Sequence, residues 1–170
     1  MTVQTESLET IRDNALSAWE SMHGFVVGIL DAIPEEHWFA QAGDGTNHTM
    51  WITGHLAFAY GVFIEGMGGK SGLGDCCAGL FGMGTEPLTD PSAYPPVAEV
   101  RAEFDRTAEL FKTTCKGLSG DDLAAEFVEV FRESCPTRAH APLIASFHDG
   151  LHGGQLATIR KSLGMTPTMA

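Results

Sequence analysis

The sequence predicts an all-α protein, an antiparallel four-helix bundle with a long glycine-rich loop after its second helix. Three observations predict it. Four long segments carry apolar residues at spacings of three and four, the period of a helix with one face toward a core. Proline- and glycine-rich breaks separate those segments. No stretch of useful length shows the alternation of a strand. The 170 residues, 44% of them hydrophobic, fit one domain over 1–170, with enough apolar surface for a core that needs no disulfide or structural metal.

The first helix is expected from Ser7 to Ala32. Its seam is Leu8, Ile11, Ala15, Trp19, Met22, Val26 and Ile29, and Pro34 stops it. Glu35 to Trp38 reads as a short helical turn. The second helix is expected from the caps Thr46 and Asn47 to Met67, with the seam Trp51, His55, Phe58 and Val62. Residues 66–84 are too rich in glycine for a stable exposed helix, so a loop is expected there, with a short ordered piece from Cys77 to Phe81. Loops of that length are uncommon unless they serve a purpose.

The third helix starts at Pro95-Pro96, proline being favoured in a first turn, and runs to Gly117. Its seam is Val97, Val100, Phe104, Thr107, Phe111, Cys115 and Leu118. Ser119 to Phe127 reads as a short helix capped by Ser119, with Asp121 and Asp122 in its first turn. The fourth helix runs from Ala139 to Leu163, closed by Gly164, with Arg160 and Lys161 where cations suit the helix dipole.

A formal net charge of −12 repels phosphate backbones and anionic membranes, so nucleic acid is not an expected partner. The amino terminus, Met1 to Leu8, lacks a basic stretch and an early apolar run, so no secretory signal is expected. The longest apolar stretch, Leu56 to Ile64, falls far short of the ~20 residues that cross a bilayer. A cytoplasmic location follows as the expectation. In that compartment Cys76, Cys77, Cys115 and Cys135 are expected as thiols. Cys76 and Cys77 are adjacent and no CxxC occurs, which argues against a cysteine zinc site.

The chemistry lies on two seams. His148 and His152 are four apart and project from one face of the fourth helix, within the stripe Ile144, His148, His152, Gln155 and Ile159. His55 replaces an apolar residue in the middle of the second helix. Three imidazoles facing one interior are costly unless something satisfies them. One divalent metal ion does so, each neutral ring donating one nitrogen. Three neutral ligands leave the ion its full charge and an open position, the pattern of a catalytic site. Water or a thiol at such an ion becomes acidic. Against this stands the plainer reading, in which each histidine is hydrogen-bonded to a neighbour. Three imidazoles suit zinc, nickel, copper and iron alike.

Asn47-His48-Thr49-Met50-Trp51-Ile52-Thr53-Gly54-His55-Leu56-Ala57 resembles the second-helix motif of the DinB-like (DinB/YfiT) superfamily. His148-Asp149-Gly150-Leu151-His152-Gly153-Gly154-Gln155-Leu156, continuing through Arg160 to Leu163-Gly164, resembles that family's HxxxHxGQ helix. The resemblance covers nearly the whole chain. It implies an up-down-down-up bundle and a site for a divalent ion, nickel or zinc, with His55, His148 and His152 as ligands. It also implies a small-molecule substrate, a low-molecular-weight thiol as co-substrate, and a homodimer, since characterised relatives include bacillithiol S-transferases and a mycothiol-dependent maleylpyruvate isomerase. Gly153, where a basic residue is common, and the glycine-rich loop depart from the family pattern.

Other residues receive plainer readings. His48 reads as a solvated histidine at a helix start rather than a pocket residue. Asp149, about 100° around the helix from His148, reads as surface. Gln155 either orients a ligand or bridges to a neighbouring helix. Cys76 and Cys77 read as loop packing, His23 with Trp19 and Met22 as core or rim, His37 and Trp38 as a packed turn, and His140 as solvated. No residue stands out as a general base, so no catalytic residue is expected beyond the metal site. Two functions follow: a metal-dependent enzyme, with thiol transfer to small electrophiles ahead of hydrolysis, or a non-catalytic metal-binding, stress-response bundle.

Overall fold

A computed structural model describes residues 7–133 and 135–166. The amino terminus through Glu6 and the side chain of Cys76 lie outside the described residues. The described residues form helices α1 (Leu8–Asp31), α2 (Thr49–Gly66), α3 (Asp75–Phe81), α4 (Val97–Gly117), α5 (Asp121–Ala124) and α6 (Ala141–Ser162), with short 3-10 turns between them. None of the described helices is long and apolar enough to cross a membrane.

Ser7 caps α1, its hydroxyl accepting from the Thr10 amide. The 3-10 turn at Glu35–His37 is where the sequence places one. Three boundaries differ from expectation. His48, not Thr46 or Asn47, caps α2: its Nδ1 accepts from the Trp51 amide at 3.1 Å. Pro96 is the cap of α4 rather than part of its first turn. The helix after Ser119 is one turn long and is entered through Gly120 at φ 51°, a conformation that suits glycine. A 3-10 turn at Arg138–His140 precedes α6, and Gly164 closes it at φ 72°.

Four long helices make the bundle, and side-chain contacts fix their directions. Trp19 meets Phe111 and His23 meets Phe104, so α1 and α4 are antiparallel. Phe63 lies on Phe111, and Met67 receives the Cys115 thiol, so α2 and α4 are parallel. Met22 faces Gly150 and Phe25 faces Gly153, so α1 and α6 are parallel. Tyr60 bonds Asp149 while Asn47, just before α2, bonds Gln155, so α2 and α6 are antiparallel. The arrangement is up-down-down-up. α1 packs chiefly on α6 and α2 on α4, and the two pairs oppose each other. Trp19, Tyr60, Phe104 and Phe111 form the aromatic centre, each such ring pair adding about 0.5–1.5 kcal/mol beyond its buried area.

Parallel neighbours need a crossover. The chain leaving α2 must return along roughly 27 Å of helix before α4 can start in the same direction, and the glycine-rich segment is that return. It descends along α2: Gly69 donates to the Ile64 carbonyl, Leu73 faces Gly61, Phe81 faces Gly54, and Thr85 accepts from Trp51 Nε1. Its course ends with the Leu88 carbonyl at His48 Nε2. A Cβ at Gly54 would run into the Phe81 ring, and one at Gly61 into Leu73. Enclosed by partners and crossover, α2 is buried everywhere except at Phe58, Val62, Glu65 and Gly66.

Candidate metal centre

His55 stands in the middle of α2, and His148 and His152 stand one turn apart on α6. The antiparallel α2/α6 seam brings them together. His148 Nε2 is 3.2 Å from His55 Nε2 and 3.2 Å from His152 Nε2. One donor atom from each ring lies within 4.8 Å of the others. Two nitrogens at about 2.0–2.1 Å from one ion, roughly 109° apart, would be about 3.3 Å from each other. The observed spacing fits a common cation. Among the described residues no cysteine or carboxylate joins the three rings.

The second ring nitrogens decide which lone pairs face inward. His55 Nδ1 lies 2.7 Å from the Phe81 carbonyl oxygen, which can only accept, so Nδ1 carries the proton. His152 Nδ1 lies 3.0 Å from Gln155 Oε1 and donates to it. Both Nε2 atoms therefore bear bare lone pairs turned toward His148 Nε2. A neutral His148 can donate one proton from that atom, and one proton cannot satisfy two acceptors with linear geometry; a cation satisfies all three. His148 Nδ1, also buried, has no hydrogen-bond partner among the described residues.

Burial disfavours the charged imidazolium and lowers all three pKa values. His148 falls to about 3, through burial and then its two imidazole neighbours. His152 falls to about 4, through burial and then His55. His55 is lowered by burial, against the opposing pull of the Phe81 carbonyl. The rings are therefore neutral near pH 7, the state that ligates. Trp51 stacks on His55 at 4.5 Å between ring centroids and donates its own N–H to Thr85.

Parts of the two seams read from the sequence lie at the edges of the buried faces. Phe58 and Val62, beyond His55 on the same side of α2, are half-buried, as are Ile144 and His148. Of the three rings only that of His148 is half-buried; His55 and His152 are buried. The centre of the α6 buried face passes through Ala145, Asp149 and His152. Asp149 is therefore not a surface residue: it is fully buried, and its Oδ2 accepts from Tyr60 Oη at 2.6 Å. His23 Nδ1 donates to the same hydroxyl at 3.0 Å. Burial pushes the Asp149 carboxyl up and the Tyr60 hydroxyl well up.

His48 is likewise buried, not solvated, because it caps α2 with one nitrogen and reaches the crossover with the other. Gln155 Oε1 accepts from His152 Nδ1 and, at 3.2 Å, from Nδ2 of Asn47 just before α2, so it makes the bridge that was one of the two roles weighed for it. Trp38 packs in its turn as expected, its N–H on the Ile33 carbonyl. His140 is half-buried and paired with Thr137. The Phe81 carbonyl escaped sequence reading altogether, since a backbone group leaves no residue signature. Asn47 carried a faint signal, its place in the motif that contains His55.

Three surface clefts of about 400–460 Å³ are present, and none of the three is lined by the triad histidines. The cleft bordered by Asn47, Leu151 and Gln155 adjoins the triad, because Gln155 also holds His152.

The sequence model of the DinB superfamily matches residues 8–156, a span that contains all three histidines. None of the curated proteins compared with the chain matches it.

Proposed function

From the premise that this chain belongs to the DinB superfamily, we propose that His55, His148 and His152 hold one divalent metal ion and that the protein is a metal-dependent enzyme joining a low-molecular-weight thiol to a small electrophile. The carrying observation is the convergence of three Nε2 atoms, two of them fixed as lone-pair donors by the Phe81 carbonyl and Gln155. Nickel or zinc is the ion this reading names. Such an ion supplies Lewis acidity and lowers the pKa of a thiol or water placed on it. The chain's part is to hold neutral imidazoles in place and to keep cysteine and carboxylate away from the ion. In the transfer a carbon–sulfur bond forms as the carbon–leaving-group bond breaks, and the thiol proton departs to solvent. Hydrolysis is the neighbouring reaction at the same site. A cytoplasmic location and a homodimer belong to the same reading. The apolar stripe of Leu143, Phe147 and Leu151 on the outer face of α6 supports the dimer.

That none of the three clefts described is lined by the triad histidines favours a second reading, a non-catalytic metal-binding bundle. One experiment separates the two. Untagged protein is assayed for metal by elemental analysis, then given bacillithiol, mycothiol and simpler thiols with generic electrophiles. Metal-dependent turnover that His152→Ala abolishes supports the enzyme. Metal content without turnover across the panel supports the second reading. Wild type and His152→Ala with equal metal content would overturn both.

A further inference from the structure

The cleft between α2, α3 and α4 lies on the far side of α2 from the histidine triad. Ala57 follows His55 by two positions, about 200° around the helix, and it lines this cleft while none of the triad does. Around Ala57 the walls are mostly carbon: Gly54 from α2, Phe81 from α3, and Pro95, Val100 and Ala102 at the start of α4. Neither of the other two clefts has so apolar a lining. At about 430 Å³ the space is of ligand size, and such walls favour an apolar guest.

The rim decides which charge that guest carries. Glu99, Glu103 and Arg106 border the cleft. Arg106 is already engaged: its Nε donates to Glu103 Oε2 at 2.8 Å, and its Nη2 donates to Glu103 Oε1 at 2.7 Å and to the Ser71 carbonyl at 2.9 Å. That pair cancels itself. Glu99, one turn before Glu103 on α4, is exposed and makes no hydrogen bond or ion pair among the described residues. The rim therefore carries one negative charge in excess. An anion would meet that carboxylate and find the guanidinium occupied; a cation would pair with Glu99. Phe81 joins the cleft to the triad. It is part of the cleft wall, its ring covers Gly54, and its carbonyl accepts from His55 Nδ1 at 2.7 Å. A guest packed against Phe81 narrows the room in which that residue moves and so steadies the carbonyl on His55.

We propose that this cleft binds a small apolar molecule bearing one positive charge, an arylalkyl amine in class, and that its occupation strengthens the triad's hold on metal through Phe81. The binding site stands without the metal; the link rests on the metal reading of the triad. Glu99 is then the residue that selects the charge, and Ala57, Val100 and Ala102 are the surface that selects the apolar body.

Titrations followed by backbone amide NMR test the cleft in the full chain stripped of metal, where no ion can draw an amine to the triad. 2-Phenylethylamine should shift the amides of Gly54, Ala57 and Ala102. It should half-saturate at a concentration lower by about tenfold or more than ethylamine, which has the charge without the ring. It should also bind about threefold or more tighter than 2-phenylethanol, which has the ring without the charge. Glu99→Gln should remove that second difference and leave the alcohol's affinity as it was. Ala102 is exposed on α4, so Ala102→Leu fills the cleft with a good helix former, and circular dichroism checks its fold. In that variant both ring compounds should weaken by about fivefold or more. Unmoved amides at Gly54 and Ala57, or ring compounds that bind Ala102→Leu as they bind the wild type, would overturn the site. An alcohol that binds as tightly as the amine would overturn the positive charge. Chelator competition on nickel-loaded protein tests the link. Saturating 2-phenylethylamine should tighten metal binding by about fivefold or more, and ethylamine at the same concentration should not. Equal metal affinity with and without 2-phenylethylamine would overturn the link through Phe81. A chain that takes up neither nickel nor zinc would instead overturn the metal reading and the link with it, while the metal-free titrations still decide the cleft.

Discussion

The three histidines are not equivalent, and their second nitrogens make the difference. His55 is held by a backbone carbonyl and His152 by an amide, while His148 Nδ1 has no described partner. Outer partners of this kind are typically worth about 10–100-fold in metal affinity. Gln155→Leu should therefore weaken metal binding by about that factor, and Gln155→Glu, which keeps an acceptor, should retain most of it. Competition against a chelator of known affinity measures both; identical losses would show that the hydrogen bond is not what orients His152. The thiols permit a second residue-level prediction. Burial pushes Cys115 and Cys135 up to about 12, so at pH 8 roughly one in ten thousand of each is the reactive thiolate. Iodoacetamide followed by peptide mass spectrometry should find both unmodified in the native protein and both modified after denaturation. Labelling of either at the rate of an exposed thiol would contradict the packing described.

Among the elements, the crossover carries most of what is particular to this chain. Its phenylalanine supplies the carbonyl for His55 and lays its ring on Gly54, whereas Leu73 lies on Gly61 further along the same face. Alanine at either glycine should cost about 1–3 kcal/mol through overpacking. The consequences differ at the metal. Gly54→Ala pushes on Phe81 and should lower metal affinity, while Gly61→Ala pushes on Leu73 and should leave it near wild type once stability is matched. Denaturant melts and chelator competition on both variants check this; equal affinities would detach the crossover from the metal centre. This element also marks how far sequence could reach. Helical period, proline breaks and the Gly164 stop displayed the four long helices, because those signals are local. The course of residues 67–96 was not displayed, since it follows from two parallel helices meeting, a fact of tertiary packing. Asp149 escaped for a related reason: α6 packs on α1 through Gly150 and Gly153 as well as on α2, so its buried arc is wider than one stripe. His148 and His152 were legible from their i, i+4 spacing. That His55 would face them depended on the α2/α6 neighbourhood, which no local signal specifies.

At the scale of the whole molecule the histidine triad sits on the seam between two helix pairs. α1 with α6 and α2 with α4 are the intimate pairs. The Tyr60–Asp149 bond and the histidine triad tie α2 of one pair to α6 of the other. An ion held by both helices acts as a staple across that seam, and because the unfolded chain does not assemble the triad, binding stabilises the folded state. With free metal at 100 times Kd the gain is about 2.7 kcal/mol. For a chain of this size each kcal/mol moves Tm by roughly 2–4 °C, so chelation should lower Tm by roughly 5–11 °C. Hydrogen exchange should quicken at the same time along the α2/α6 seam and in the crossover near Phe81, with the α1/α4 contact less affected. His152→Ala should melt at one temperature with or without added metal. A wild-type Tm that ignores chelation, in protein shown by elemental analysis to have been loaded, would mean that the ion is held without spanning the two pairs.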